Sequence, residues 1–307
     1  MAWEYTQLPT SWSSRLGTGA PVLLDGALGT ELERRNVPAG LPLWSTHALL
    51  EAPETIANIH RDYVAAGAEI LTAASFRTQR RSLARAPGAR LESQAGPLTR
   101  QAVLLARRAA QQASRPCWVA GSAPPLEDCY RPDRVPAERV ARIEHREHIA
   151  HLVEAGCDLI AVETMNCARE ARVAAEAAAE TGVPFWVSFV CGPEARLLSG
   201  ETLATAIDAI RDTRPAAVGV NCVAVSQVSA CLPVLATCGL DFLVYANLGA
   251  PSEDGSRTDW RAPGAFADEA SDWVRAGAAG VGGCCGTQPE HIRAVAAALE
   301  PSSRAEG

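Results

Sequence analysis

The chain contains no lysine; all 28 of its Lys+Arg residues are arginine. That absence removes three enzyme classes, because Schiff-base aldolases, pyridoxal-phosphate enzymes and P-loop NTPases each depend on a lysine. Basic residues are also outnumbered by 35 acidic ones, for a net charge of −7. No positive field exists to gather phosphates, which argues against nucleic acid as a partner. No G-x-G-x-x-G follows the first apolar run, so the dinucleotide-binding form of an open α/β sheet is not indicated. No uninterrupted apolar run reaches about 18 residues, and no membrane span is expected. The opening stretch MAWEYTQLPTSW lacks a basic segment leading into an apolar one, so it does not read as a secretory leader. A reducing, cytoplasmic setting is expected, with thiols free.

What the chain does have is rhythm. Short apolar runs recur at 22–24, 70–74, 118–120, 159–162, 185–190, 217–220, 242–246 and 278–281. Stretches of helical period lie between them, for example at 54–66, 98–113, 140–155, 168–180 and 289–299. Several of these close on glycine just before the next run, as in Ala66-Gly67-Ala68 and Ala276-Gly277-Ala278, the expected helix stop. Strand alternating with helix implies a parallel sheet, and eight repeats imply a (β/α)8 TIM barrel in a single domain. Residues 21–300 are read as that barrel, 1–20 as an N-terminal arm and 301–307 as a polar tail.

A barrel of this kind carries its site at the C-terminal ends of the strands. Those ends hold Asp25, Ser75, Ser122, Glu163, Ser188, Cys222, Asn247 and the pair Cys284–Cys285. The chain has ten cysteines, and in a reducing setting clustered cysteines point to metal or catalysis before disulfides. Cys117, Cys129, Cys157, Cys167, Cys191, Cys231 and Cys238 are scattered, mostly through apolar runs, and read as small buried hydrophobes. Cys284 and Cys285 differ. They sit in Gly282-Gly283-Cys284-Cys285-Gly286-Thr287, where glycines permit the turn that two adjacent side chains need to reach one ion. Cys222 ends the sixth strand, one strand away from the eighth. Three thiolates leave one position open on tetrahedral Zn²⁺, the pattern of a catalytic site. On these residues alone a zinc site and a redox disulfide stand side by side. Thr287 through Glu290 reads as a capping box opening the last helix. The run His145, His148 and His151 lies on a helix away from the rim and reads as a packing or solvated face rather than a metal site.

The segments LLDGALGTELERR (23–35), PLWSTHALLEAPETIANIHRDYVAAGAEILTA (42–73), VAGSAPP (119–125), DLIAVET (158–164), GVNC (219–222) and GVGGCCGT (280–287) resemble the homocysteine S-methyltransferase family, in the family's order. The resemblance implies a zinc barrel with Cys222, Cys284 and Cys285 as ligands. It also implies Asp25 and Glu163 around homocysteine, and a small freely diffusing methyl donor, S-methylmethionine or S-adenosylmethionine before betaine. A carboxylate suits the substrate ammonium group, and the turn from Gly26 to Thr30 could offer backbone amides to its carboxylate. A cationic donor favours aromatic walls, for which Trp44, Phe76 and Tyr245 are candidates. Ser75 and Asn247 complete the expected substrate contacts. The chain departs from the family at Ala73-Ala74-Ser75-Phe76 and at Tyr245-Ala246-Asn247-Leu248-Gly249-Ala250, both beside the expected substrate pocket. A different thiol or selenol acceptor would fit the same fold. A non-catalytic zinc or redox sensor would not need Asp25 and Glu163.

Overall fold

Each of the eight apolar runs becomes a parallel strand. The computed structural model describes residues 15–16, 18–86, 90–249 and 259–300. The strands are β1 (Val22–Leu23), β2 (Ile70–Thr72), β3 (Trp118–Ala123), β4 (Leu159–Met165), β5 (Phe185–Phe189), β6 (Ala217–Ala224), β7 (Phe242–Asn247) and β8 (Gly280–Gly283). They form one sheet in the order β1-β8-β7-β6-β5-β4-β3-β2. The remaining seam, between β1 and β2, is closed by a parallel bridge from Leu24 to Ile70. Asp25 N donates to the Ile70 carbonyl and Glu69 N to the Leu23 carbonyl across it. The expected (β/α)8 barrel is the observed fold.

The helices around it are α1 (Gly29–Arg34), α2 (Thr46–Glu51), α3 (Pro53–Ala66), α4 (Arg80–Leu83), α5 (Ala95–Ala110), α6 (Glu138–Glu154), α7 (Ala168–Ala179), α8 (Leu203–Ile210), α9 (Val225–Thr237), α10 (Pro263–Arg275) and α11 (Pro289–Leu299). Proline opens α3, where its missing N–H costs nothing, and Gly67 closes it at φ 105°. Several boundaries differ from expectation, among them both ends of α5, which closes at Ala110 and not at 113. Helix α5 starts three residues before Leu98, because Pro97 falls in its first turn and does not interrupt the hydrogen-bond ladder. Helix α11 is capped by Gln288, whose N–H donates to His291 Nδ1 at 3.1 Å, and not by Thr287 with Glu290. The Thr287 hydroxyl is engaged elsewhere: it donates to the Cys284 carbonyl at 2.7 Å and accepts from Ala27 N at 3.0 Å.

Strand alternation sorts the side chains into two cores. Residues facing the helices join the larger one. Those facing the barrel axis, among them Val22, Leu24, Ile70, Trp118, Ala120, Leu159, Ala161, Trp186, Ala217 and Leu243, fill the interior. Leu16 joins this interior cluster, and Arg15 beside it holds the Glu69 carboxylate through Nε and Nη2, both at 2.7 Å. The remainder of the expected arm at 1–14, and the expected tail at 301–307, lie outside the described residues. No helix among the described residues is long and apolar enough to cross a membrane.

Closure of the barrel at its first strand depends on glycine in β8. A Cβ on Gly282 would stand 2.6 Å from Leu24 Cβ and 2.9 Å from the Asp25 carbonyl. Gly282→Ala should therefore push β8 from β1 and cost about 1–3 kcal/mol, as overpacking does elsewhere. A shifted urea midpoint with an unchanged slope is the expected reading; an unchanged midpoint would mean the seam can yield.

Candidate active site

The alternation that fills the barrel also delivers polar groups to its mouth. Trp118 and Ala120 face the axis, so two residues on, Ser122 does too. The same step takes Leu159 and Ala161 to Glu163, Trp186 to Ser188, and Leu243 to Tyr245. These four meet. The Ser122 hydroxyl donates to Glu163 Oε1, Ser188 contacts the Tyr245 hydroxyl, and Trp186 Nε1 donates to that same hydroxyl at 3.0 Å.

Two strands break the alternation at this level. β4 carries an extra residue between Val162 and Met165 relative to β5, and β6 between Asn221 and Ala224 relative to β7. At these bulges Thr164 and Cys222 adopt φ of 58° and 53°. Such left-handed backbone in residues other than glycine costs on the order of 1–3 kcal/mol and concentrates at functional sites. On a regular strand Cys222 would face away from the axis, since Asn221 before it faces inward. The kink turns it into the mouth, and both residues line the cavity. One side chain joins the two bulges: Asn221 Oδ1 accepts from Thr164 N at 2.8 Å, and Nδ2 donates to Thr164 Oγ1 at 2.8 Å. Ser188 also donates to Asn221 Oδ1, at 2.7 Å.

Cys222, Cys284 and Cys285 converge so that their sulfurs lie within 4.8 Å of one another, the Cys222 and Cys284 sulfurs 2.7 Å apart. All three are free thiols. Two sulfurs on one tetrahedral zinc, at about 2.3 Å each, are about 3.8 Å apart, so the cluster is close enough for one ion once the Cys222 and Cys284 sulfurs part by about 1 Å. Among the described residues no other group of His, Cys, Asp or Glu is so arranged. The electrostatics agree with this fit. Contact with its neighbours and burial push Cys222 well up from the ordinary thiol range, while Cys285, accepting from both other thiols, is pulled well down. Without a cation the cluster favours a single thiolate; a divalent ion is what allows all three to ionise. Asn247 binds the two ligand segments together. Its Nδ2 donates to the Cys222 carbonyl at 3.1 Å and its Oδ1 accepts from Cys285 N at 2.9 Å.

A cavity of about 450 Å³ opens beside the sulfurs, a size suited to small-molecule ligands. Asp25 and Glu163 line it and are buried. Burial pushes the Asp25 carboxyl up to about 8, against hydrogen bonds from Thr72 N at 2.8 Å and Thr72 Oγ1 at 3.0 Å; the charge of Glu163 adds to the rise. Burial likewise pushes Glu163 up to about 7, offset by bonds from Ser122 and Tyr245. A cationic group placed beside two carboxyls that are reluctant to ionise alone would favour their ionised forms.

Of the expected site residues, Asp25, Gly26, Trp44, Phe76, Glu163, Cys222, Cys284 and Cys285 line this one cavity, as does Tyr245. Trp44 lies directly over Gly29, where any Cβ would stand 2.4 Å from its indole nitrogen. Thr30, Ser75 and Asn247 are placed otherwise. Thr30 Oγ1 accepts from Gly286 N at 3.0 Å, Ser75 Oγ donates to the Ser122 carbonyl at 3.1 Å, and Asn247 holds the cysteine backbone. None of the three lines the cavity. Residues that the sequence did not single out do: Arg77 on the loop after β2, and Asp128, Tyr130 and Arg131 on the loop after β3; Cys129, read as a small buried hydrophobe, is buried and borders the cavity as well. Of His145, His148 and His151, the first two are fully packed, His145 against Glu170 and His148 on the Ser122 carbonyl.

Fold and site together define a TIM barrel with a cluster of three thiols that could hold a metal ion, beside a cavity of small-molecule size. A family model described as homocysteine S-methyltransferase matches residues 22–299, and the chain belongs to that family. The homocysteine S-methyltransferase of Escherichia coli strain K12 is 35% identical over 295 residues, covering 90% of this chain and 94% of that protein. Homocysteine S-methyltransferase 4 of Zea mays is 31% identical over 316 residues, covering 92% and 90%. Among solved structures, the metallated form of the homocysteine methyltransferase MmuM from Escherichia coli superposes with a TM-score of 0.81 at 33% identity, covering 92% of this chain and 98% of that one.

The raised carboxyls make a thermodynamic prediction for the ligand-free protein. The folded chain keeps the Asp25 proton up to about pH 8, while an unfolded chain sheds it near 3.8, so this group lowers stability as pH climbs toward 8. His60 and His148, pushed down to about 4 by burial, act in the opposite sense between about pH 4 and 6.5. From about pH 6.5 to 8 the histidines no longer contribute, and comparing wild type with a variant of Asp25 alone cancels the opposite contribution of the lowered Cys285 thiol. There Asp25→Asn should lose about 1–2 kcal/mol less stability than wild type, read from urea midpoints. Parallel losses would mean that Asp25 is already ionised in the fold.

Proposed function

We propose that this protein moves a methyl group from a small cationic donor to the thiol of homocysteine, giving methionine, with zinc held by Cys222, Cys284 and Cys285. The observation that carries this reading is the convergence of the three sulfurs and the two buried carboxyls on one cavity. Zinc, when bound, favours the thiolate of an incoming thiol, which is the nucleophile the reaction needs. Asp25 and Glu163 receive the acceptor's ammonium group, and its charge draws both carboxyls into the ionised state. Trp44, Phe76 and Tyr130 supply aromatic faces to a sulfonium or quaternary ammonium.

In the transfer, the acceptor sulfur forms a bond to the methyl carbon while the donor's bond to that carbon breaks. The departing thioether or amine keeps the electron pair, and the thiol proton passes to solvent. A rigid barrel rim that holds both partners in line supplies the acceleration through alignment. S-methylmethionine or S-adenosylmethionine is the preferred donor, betaine the next. A selenol acceptor is a second reading, favoured by the 30% identity to a selenocysteine Se-methyltransferase of Brassica oleracea. Chemistry on free thiols suits a reducing compartment such as the cytoplasm.

Zinc-loaded protein incubated with homocysteine and each donor should form methionine. Cys222→Ser should retain its circular dichroism while losing most of its zinc and its turnover. Full zinc occupancy in that variant would remove Cys222 from the ligand set, and absence of methionine with every donor would overturn the activity.

A further inference from the structure

The cavity contains a cation that the reading above leaves idle. Arg77 lines it and is only 6% exposed. Its Nη1 donates to the Glu127 carbonyl at 2.9 Å, and its guanidinium stacks on Phe76 with 5.3 Å from Cζ to the ring centroid. Nε is buried without a partner, and no hydrogen bond among the described residues engages Nη2. No carboxylate among the described residues forms an ion pair with it, whereas Arg131 in the same wall is paired with Asp133 at 2.7 Å and Arg134 is exposed. A buried guanidinium lacking a counter-ion is costly, and the unengaged atoms are informative. Nε and Nη2 form the edge that takes a carboxylate in a two-point fork. Arg15 and Arg80 use that same edge on Glu69 and Glu147.

We propose that the Nε–Nη2 edge of Arg77 holds a carboxylate of the methyl donor, so that the enzyme selects zwitterionic donors. This rests on the methyl-transfer reading. The acceptor is assigned to the other side of the cavity by its own chemistry, with its sulfur at the three cysteines and its ammonium at Asp25 and Glu163. Arg77 follows β2 and its Nη1 is anchored to the Glu127 carbonyl beyond β3, whereas Glu163 stands on β4 and accepts from the Ser122 hydroxyl. The guanidinium therefore stands apart from the acceptor's ammonium site. It flanks Phe76, one of the faces offered to the donor's cation. An onium group over an aromatic ring with a carboxylate on the adjacent guanidinium describes a sulfonium or quaternary-ammonium amino acid.

The test compares S-methylmethionine with its carboxamide, which keeps the sulfonium and the amino group but lacks the anion, at saturating homocysteine with the zinc-loaded full chain. Wild type should prefer the carboxylate by at least about tenfold in kcat/KM, as expected for a charge-assisted fork. Arg77→Gln should bring that ratio close to one, chiefly by raising the KM of S-methylmethionine, with the homocysteine KM unchanged. Arg77→Lys, which keeps charge and loses the fork, should fall between. Equal losses with both donors would reduce Arg77 to a support for the Glu127 loop and overturn the proposal. A raised homocysteine KM with donor preference intact would overturn it too, by assigning the fork to the acceptor. If wild type forms methionine from neither donor, the methyl-transfer reading itself fails, an outcome distinct from a change in donor ratio.

Discussion

One buried amide fixes the geometry on which the site depends. Asn247, at the end of β7, lies between the two strands that supply the sulfurs, and its side chain spans them. Its nitrogen holds the Cys222 carbonyl and its oxygen the Cys285 amide. An amide is one of the few side chains that can donate to one neighbour and accept from the other. Because the group is fully buried, losing either partner would leave an unsatisfied polar atom as well as a loose ligand segment. The sulfur cluster is thus positioned through the backbone, by a residue that does not face the cavity.

A regular barrel strand presents every second residue inward, so it cannot deliver both Asn221 and Cys222, or both Glu163 and Thr164, to one mouth. The two bulges do so, and Asn221 bonded to Thr164 holds them against their strain. Stability is given up in a second way at Asp25 and Glu163, whose carboxyls are buried without a counter-charge among the described residues. Buried Arg77 carries a complementary deficit, its Nε without a partner. Buried ionisable groups of both kinds around one cavity, without partners among the described residues, are understandable if the missing partners belong to the ligands.

The strands and their order were legible because apolar runs and helical periods are repeated eight times, and repetition leaves few topologies. The cysteine cluster was legible because strand ends point to one rim. What was not legible depends on tertiary contact. The positive φ of Thr164 and Cys222 has no local signal; its trace in the sequence is Asn221, a polar residue in an otherwise apolar strand. Arg77 and Tyr130 sit on loops without periodicity, where nothing distinguishes a wall of the cavity from solvent-facing chain. Ser75 and Asn247 were read as substrate contacts because polar residues end the strands, and Thr30 because it closes a turn at a helix start, yet such places also leave backbone groups that need partners. Those three serve the backbone. The cap of α11 moved by one residue for the same reason, since Thr287 was already committed to Cys284.

The most direct test of this account is a cobalt(II) titration of the zinc-free protein, followed through its thiolate-to-metal absorption, for wild type and Asn247→Ala. Wild type should bind one cobalt per chain with a thiolate band. Asn247→Ala, still folded by circular dichroism, should bind about 10–100-fold more weakly, the usual cost of losing a group that orients metal ligands. Absence of a thiolate band in wild type, or equal affinity in the two proteins, would contradict it.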